Sequence, residues 1–233
     1  MFDFLKKYPF HILFTAMYLA GLIGLNFETT KPFFLFFTPI HLVAACVVVL
    51  YFQEDWSKSF QIFALSTFLI GFFIEMLGVN TGLVFGQYRY ETTLGFKIFG
   101  TPPVIGALWL QLSYCFGVLV DKIKYNTLIK SILGSALMTA LDVVTEPVAI
   151  RFKMWSWANG TPPLQNYVAW FVVSFFVFLL FFKLNFKRNN KIAIWILFLT
   201  FVFFIGNAII GVWFFKQKIA PNSRILFYSY IRG

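Results

Sequence analysis

Long apolar stretches separated by short polar breaks dominate this chain. Seven can be read, at about residues 10–26, 33–52, 60–78, 102–120, 127–146, 164–183 and 192–215. Each is near the roughly 20 residues a helix needs to cross the hydrocarbon core of a bilayer. Several begin with proline or follow one: Pro9, Pro32, Pro102-Pro103 and Pro162-Pro163. Proline is tolerated in the first helical turn, where its missing N–H would have no partner anyway. The pattern predicts an all-α polytopic bundle of about seven transmembrane helices, forming one integral membrane domain over residues 1–233. No signal-peptide cleavage pattern follows the first stretch, which is expected to remain as a helix.

Two connections break the rule of short polar turns. Residues 79–101 and 147–163 are long, rich in Gly, Tyr, Trp and Pro, and poor in ordinary loop polarity. Loops of that kind are re-entrant or lie as caps over a cavity. Both end in the same tetrapeptide, Gly100-Thr101-Pro102-Pro103 and Gly160-Thr161-Pro162-Pro163, with Trp109 and Trp170 beyond. Each follows an apolar run that carries carboxyl groups: Phe68 through Glu75 in one case, Leu133 through Asp142 and Glu146 in the other. The pattern reads as a helix–loop–helix unit occurring twice, with an even number of spans between the copies. A possible parallel internal repeat follows, with both loops and all three carboxyls near one membrane face and a site at the repeat interface.

Composition supports the membrane reading. The chain of 233 residues is 60% hydrophobic and only 12% charged, against roughly 25% charged in ordinary soluble domains. The net charge of +10 comes from short clusters between apolar runs: Lys6-Lys7, Lys122/Lys124, Lys183/Lys187/Arg188/Lys191 and Lys216/Lys218. Such clusters set topology and meet lipid headgroups, so the expected partner is the lipid bilayer and not nucleic acid. Ten Lys and Arg fall on the side of the N terminus and nine on the other, four of these in the C-terminal tail. Discounting the tail places the N terminus in the cytoplasm and the repeated motif outward, in a multi-pass protein of the cell (inner) membrane. Cys46 and Cys115 lie inside apolar runs and read as small hydrophobic filler.

Carboxyls within apolar helices are costly to keep, which makes them the first candidates for chemistry. Glu75 sits between Gly71-Phe72-Phe73-Ile74 and Met76-Leu77. Desolvation disfavours its anion, so it can act as a proton donor or as a hydrogen-bonding strut between helices. Asp142 and Glu146 are four residues apart and share a helix face. Two neighbouring carboxyls resist joint ionisation, and one that keeps its proton suits a general acid. Pro147 predicts that the helix ends at Glu146. The structural alternative is an ion-pair lock with Arg151, Lys153 or Arg89. The loops add Tyr88, Arg89 and Tyr90 in the first copy, and Arg151, Trp155 and Trp157 in the second. They fit an interfacial aromatic belt or an aromatic-walled pocket whose ring faces stabilise a cation. Asn166, beside Gln165, could hold a water, as could Asn80 and Gln87. Gly78, Gly82 and Gly86 fit a loop that must turn.

Absences narrow the classes. Only two histidines occur, His11 and His41, in separate segments, so a membrane di-iron oxygenase lacks its ligands. No Cys/His cluster, GxGxxG, P-loop or Asp-rich diphosphate motif is present. What remains is acid–base chemistry with no metal and no cofactor.

The run from Glu75 to Tyr90, with Leu94-Gly95 and the Pro102-Pro103 segment to Trp109, resembles the carotenoid biosynthesis hydratases. These are the membrane gamma-carotene 1'-hydratase (CruF-like) and bisanhydrobacterioruberin hydratase family. The second copy is similar to the same family through Asp142, Glu146-Pro147, Trp155-Ser156-Trp157, Gly160, Pro163, Asn166 and Trp170. The likeness covers about residues 65–180. One departure is Glu146-Pro147, where the family pattern suggests Asp-Pro; the carboxyl is kept. The resemblance implies a cofactor-independent hydro-lyase, a carotenoid 1,2-hydratase. Its substrate would be a membrane-dissolved acyclic carotenoid. Protonation of the terminal isopropylidene double bond gives a tertiary cation, and water capture gives a tertiary alcohol. On that reading Glu75 or Asp142 donates the proton, and Glu146 with Asn166 holds or deprotonates the water. Tyr88, Arg89, Tyr90, Trp109, Arg151, Trp155, Trp157, Asn166 and Trp170 are then expected around the substrate. A lycopene-type membrane cyclase starts with the same protonation but excludes water. A proton-coupled transporter or scaffold would use the same carboxyls differently.

Overall fold

Seven helices and one small two-stranded ladder make up the residues described by the computed structural model. These are residues 8–230, with side chains described as far as residue 213. The helices are α1 (Pro9–Gly24), α2 (Lys31–Tyr51), α3 (Lys58–Thr81), α4 (Val104–Asp121), α5 (Thr127–Arg151), α6 (Leu164–Lys183) and α7 (Lys191–Tyr230). The strands are β1 (Tyr88–Tyr90), between α3 and α4, and β2 (Trp155–Trp157), between α5 and α6. The chain is an all-α polytopic bundle, with six helices long and apolar enough to cross a membrane. The basic pairs Lys6-Lys7 and Lys216/Lys218 lie outside the described side chains.

Helix starts follow local chemistry. Proline occupies the first turn of α1 and of α2, and Pro103 and Pro163 stand immediately before α4 and α6. Asn126 caps α5, its side chain accepting the Ile129 N–H at 2.9 Å; such a cap satisfies one of the orphan donors of a helix start. The first helix is shorter than expected. Its 16 residues reach about 24 Å at about 1.5 Å per residue. Its end is tied down by Asn26, whose amide donates to the Leu22 carbonyl and to Asn207 of α7.

The expected break at Pro147 does not occur. Helix α5 runs through Pro147 to Arg151, so Glu146 lies inside the helix and the second aromatic loop begins at residue 152. Proline removes only its own N–H from the ladder. The turns after it are held by bonds from Phe152 to the Val148 carbonyl and from Met154 to that of Ala149. Val148 and Ala149 are fully packed against neighbours. Membrane helices tolerate proline where surrounding protein supports the interrupted turn.

Helix α4 is the centre, contacting α2, α3, α5, α6 and α7. Small residues let its neighbours approach. A methyl group built on Gly71 of α3 would lie 2.3 Å from the Cβ of Trp109. With no Cβ there, the Trp109 ring lies directly against the α3 backbone, beside Glu75 one turn on. Cys46 and Cys115 are both buried and unpaired.

The two aromatic loops meet on one face of the bundle. Strands β1 and β2 pair antiparallel, Tyr88 opposite Trp157, Arg89 opposite Ser156 and Tyr90 opposite Trp155. The ladder is extended by the Glu91 N–H to the Met154 carbonyl and by the Ala158 N–H to that of Gln87. The turn into β1 needs glycine twice. Gly82 ends α3 at φ +68°, and Gly86, at φ +103°, faces Pro163 so closely that a Cβ would stand 2.6 Å from its ring. L side chains avoid that region of φ.

Candidate functional site

Beneath the β1–β2 lid lies a cavity of about 320 Å³. Glu75 from α3, Asp142 and Glu146 from α5, and Asn166 from α6 line one end of it, all buried. Tyr88, Tyr90, Trp155 and Trp157 from the lid, with Trp109 and Trp170 below, form the aromatic wall around them. The Trp109 and Trp170 rings stack with centroids 4.4 Å apart and planes 17° apart. Tyr88 leans on Trp157 at 5.0 Å. The faces of electron-rich rings attract a cation without supplying a nucleophile to trap it.

The three carboxyls are held differently. Glu75 is fully engaged. Its Oε2 accepts the hydroxyls of Tyr88 at 2.5 Å and Tyr90 at 2.8 Å, and its Oε1 accepts the Trp109 indole N–H at 3.0 Å. Glu146 uses one oxygen only. Oε2 accepts the indole N–H groups of Trp155 at 3.1 Å and Trp157 at 2.8 Å. Asp142 Oδ2 accepts the Asn166 amide at 2.8 Å. Glu146 Oε1 and Asp142 Oδ1 have no hydrogen-bond partner among the described residues, and both side chains line the cavity. Glu75 thus clasps β1 and Glu146 clasps β2, so the lid closes onto the carboxyls themselves.

None of the ion pairs among the described residues includes these carboxyls. Arg89 points outward, 78% exposed, and pairs with Glu91 at 3.0 Å. Arg151 donates to Asn207 of α7 at 3.0 Å and lies over the Phe152 ring. Neither Arg89 nor Arg151 is among the residues that line the cavity. The ion-pair lock between the carboxyls and these cations is therefore not formed. Asn80 is spent holding the end of α3, donating to the carbonyls of Met76 and Phe99. Gln87 lies on the outer face of the lid.

Sequence reasoning overlooked two things. Glu91 straps the lid: Ser156 of β2 donates to it at 2.6 Å while Arg89 of β1 pairs with it. Those two contacts hold the Glu91 carboxyl below the usual carboxylate range. The other omission is the far wall of the cavity. Phe33, Phe34, Phe37 and His41 of α2, Met17 of α1 and Phe203 of α7 complete it. Phe33 and Phe37 are themselves 59% and 39% exposed on the bundle surface, so the cavity reaches the apolar flank at α2. In a chain with 34 phenylalanines, nothing in the pattern distinguishes these.

The clasp on Glu75 gives a direct prediction. Glu75→Leu leaves two phenols and one indole without their acceptor in a buried site. A stranded buried donor costs about 1–3 kcal/mol. The variant is expected to lose about 2 kcal/mol or more and to melt earlier in detergent. Unchanged thermal melting would show that the Glu75 bonds contribute nothing to closing the lid.

Comparison with known proteins adds three findings. A protein-family model described as "Carotenoid biosynthesis protein" matches residues 34–223, beyond the 65–180 stretch that the motifs mark. Bisanhydrobacterioruberin hydratase from Haloarcula japonica is 26% identical over 166 residues, covering 68% of this chain and 56% of that protein. The chain therefore spans little more than half the length of that curated relative. No solved structure matches.

Proposed function

This chain belongs to the carotenoid biosynthesis protein family, and on that premise we propose that it is a membrane carotenoid hydratase. It adds water across the terminal isopropylidene double bond of an acyclic end group, giving a tertiary alcohol. The observation that carries the reading is the unequal holding of the carboxyls in an aromatic cavity that contacts the apolar flank.

The roles follow from hydrogen-bonding capacity. An indole N–H can only donate, so Glu146 Oε2 is the acceptor for both Trp155 and Trp157. Its free Oε1 is left to hold a water and take that water's proton. Glu75 accepts from three donors and serves to position Tyr88, Tyr90 and Trp109 around the site. Asp142 has one amide partner and one free oxygen in the cavity, which suits the proton donor. Turning the Asn166 amide over lets it donate to the carboxylate or accept from the acid, so it can follow the proton.

The step balances on these residues. The Asp142 proton forms the new C–H bond at the less substituted alkene carbon, leaving a tertiary cation facing the rings. Water forms the C–O bond and gives a proton to Glu146, and proton return from Glu146 to Asp142 closes the cycle. At about 320 Å³ the cavity is at the low end of the roughly 300–1,000 Å³ of small-molecule sites. It accommodates an end group, with the rest of the polyene leaving between the phenylalanines of α2 into the bilayer. The mechanism asks nothing of a cofactor.

Expression in a bacterium that accumulates acyclic carotenoids tests the reaction class. The expected product is heavier than its precursor by one water. A product of unchanged mass with a shifted absorption spectrum would replace the hydratase reading with the cyclase one. No change in any carotenoid would favour a transporter or scaffold.

A further inference from the structure

A second cavity, of about 240 Å³, opens on the outer face of the lid. Its polar lining comes from Gln87 of the first loop, Asn159 and Thr161 of the second, and Gln165 in the first turn of α6. The loops are stitched together at this point. The Gln165 amide donates to the Leu83 carbonyl at 2.6 Å, and the Ala158 N–H to the Gln87 carbonyl at 3.0 Å. Trp157 lines both cavities. On its inner side its N–H binds Glu146, and on its outer side the ring borders the polar pocket. The partition between the pocket and the carboxyl that would hold water includes a single buried indole.

The inner cavity has an apolar side as well, at Phe33 and Phe37 of α2. A polyene dissolved in the bilayer suits that side. Water does not, because an apolar wall offers it no hydrogen bonds. We propose that the polar pocket over the lid is the inlet for the water of hydration, and that Trp157 is the positioning residue that controls its passage to Glu146. The proposal rests on the hydratase reading. It separates the two reactants, carotenoid from the lipid and water through the lid.

Controlled water delivery decides the product. The cation formed by the Asp142 proton has two exits. Water gives a C–O bond and a proton to Glu146. Without water, a neighbouring carbon gives a proton back to the Asp142 carboxylate, and the electrons of the broken C–H bond form the double bond of an isomeric alkene of unchanged mass. A blocked inlet therefore shifts the partition between these products without stopping protonation.

The inlet can be probed with and without catalysis. Thr145 lines the inner cavity, and a cysteine placed there reports water access. In full-length protein in membranes, with Cys46 and Cys115 replaced by Ala, Thr145→Cys is labelled with a small charged methanethiosulfonate reagent. Adding Asn159→Trp, at an exposed position on the pocket rim, is expected to slow labelling several-fold. Adding Trp157→Ala is expected to speed it several-fold. Unchanged rates in both backgrounds would overturn the inlet. In the otherwise native chain, Asn159→Trp is expected to raise the share of unhydrated isomer among the carotenoid consumed. An unchanged product ratio at unchanged consumption would overturn the control of water by this route. The labelling rates stand even if no carotenoid gains water, so failure of the inlet and failure of the hydratase reading are told apart.

Discussion

Asp142→Asn is expected to stop carotenoid consumption, with no hydrated product and no isomer. The substitution keeps the shape of the side chain and its packing beside Asn166, yet removes the proton from which the proposed reaction starts. Positioned general acids contribute about 10²–10⁴-fold. Glu75 spends both oxygens on Tyr88, Tyr90 and Trp109, and in the proposed mechanism Glu146 has the opposite role of taking a proton from water. The check is substrate remaining, measured by chromatography of extracted pigments, with protein level and melting temperature matched to the unsubstituted chain. If Asn at this position keeps consumption within a few-fold, Asp142 is not the acid.

Glu146→Gln should fail differently. A glutamine carbonyl still accepts the indoles of Trp155 and Trp157, so β2 stays clasped and the fold is unaffected. What is lost is the base proposed to take the proton from water. Protonation by Asp142 continues, and the cation is left to shed a proton instead. Hydrated product is expected to fall by about 10²-fold or more, the scale of a general-base contribution, while isomers of unchanged mass accumulate. Equal loss of hydrated product and of total consumption would remove the distinction drawn between Asp142 and Glu146.

Much of this site is legible in the sequence because an intramembrane carboxyl is rare and expensive. Glu75, Asp142 and Glu146 stand out from apolar surroundings, and the repeated Gly-Thr-Pro-Pro marks the loops that cover them. The spacing of Asp142 and Glu146 places them on one face of α5, as found. What the loops build is harder to read. Tyr88–Tyr90 and Trp155–Trp157 are three-residue strands, too short for an alternation to register, and they exist because each finds the other across the cavity. Pro147 misleads for a related reason. Its local preference ends a helix, but the packing of Val148 and Ala149 outweighs one missing hydrogen bond. Arg89 turns outward to Glu91 because a lid only three residues wide presents alternate side chains to opposite faces, while Arg151 ends α5 and turns to Asn207. The phenylalanine wall of α2 is invisible because helical periodicity cannot choose among so many equivalent apolar positions.

Of the claims made for this protein, the central one is that water is added at the carboxyl cluster. Purified protein in detergent, supplied with an acyclic carotenoid in oxygen-18 water, tests it most directly. The account predicts a tertiary alcohol carrying one oxygen-18 atom, formed without added cofactor and absent with Asp142→Asn. A product of unchanged mass, or an alcohol whose oxygen does not come from the solvent, would contradict it.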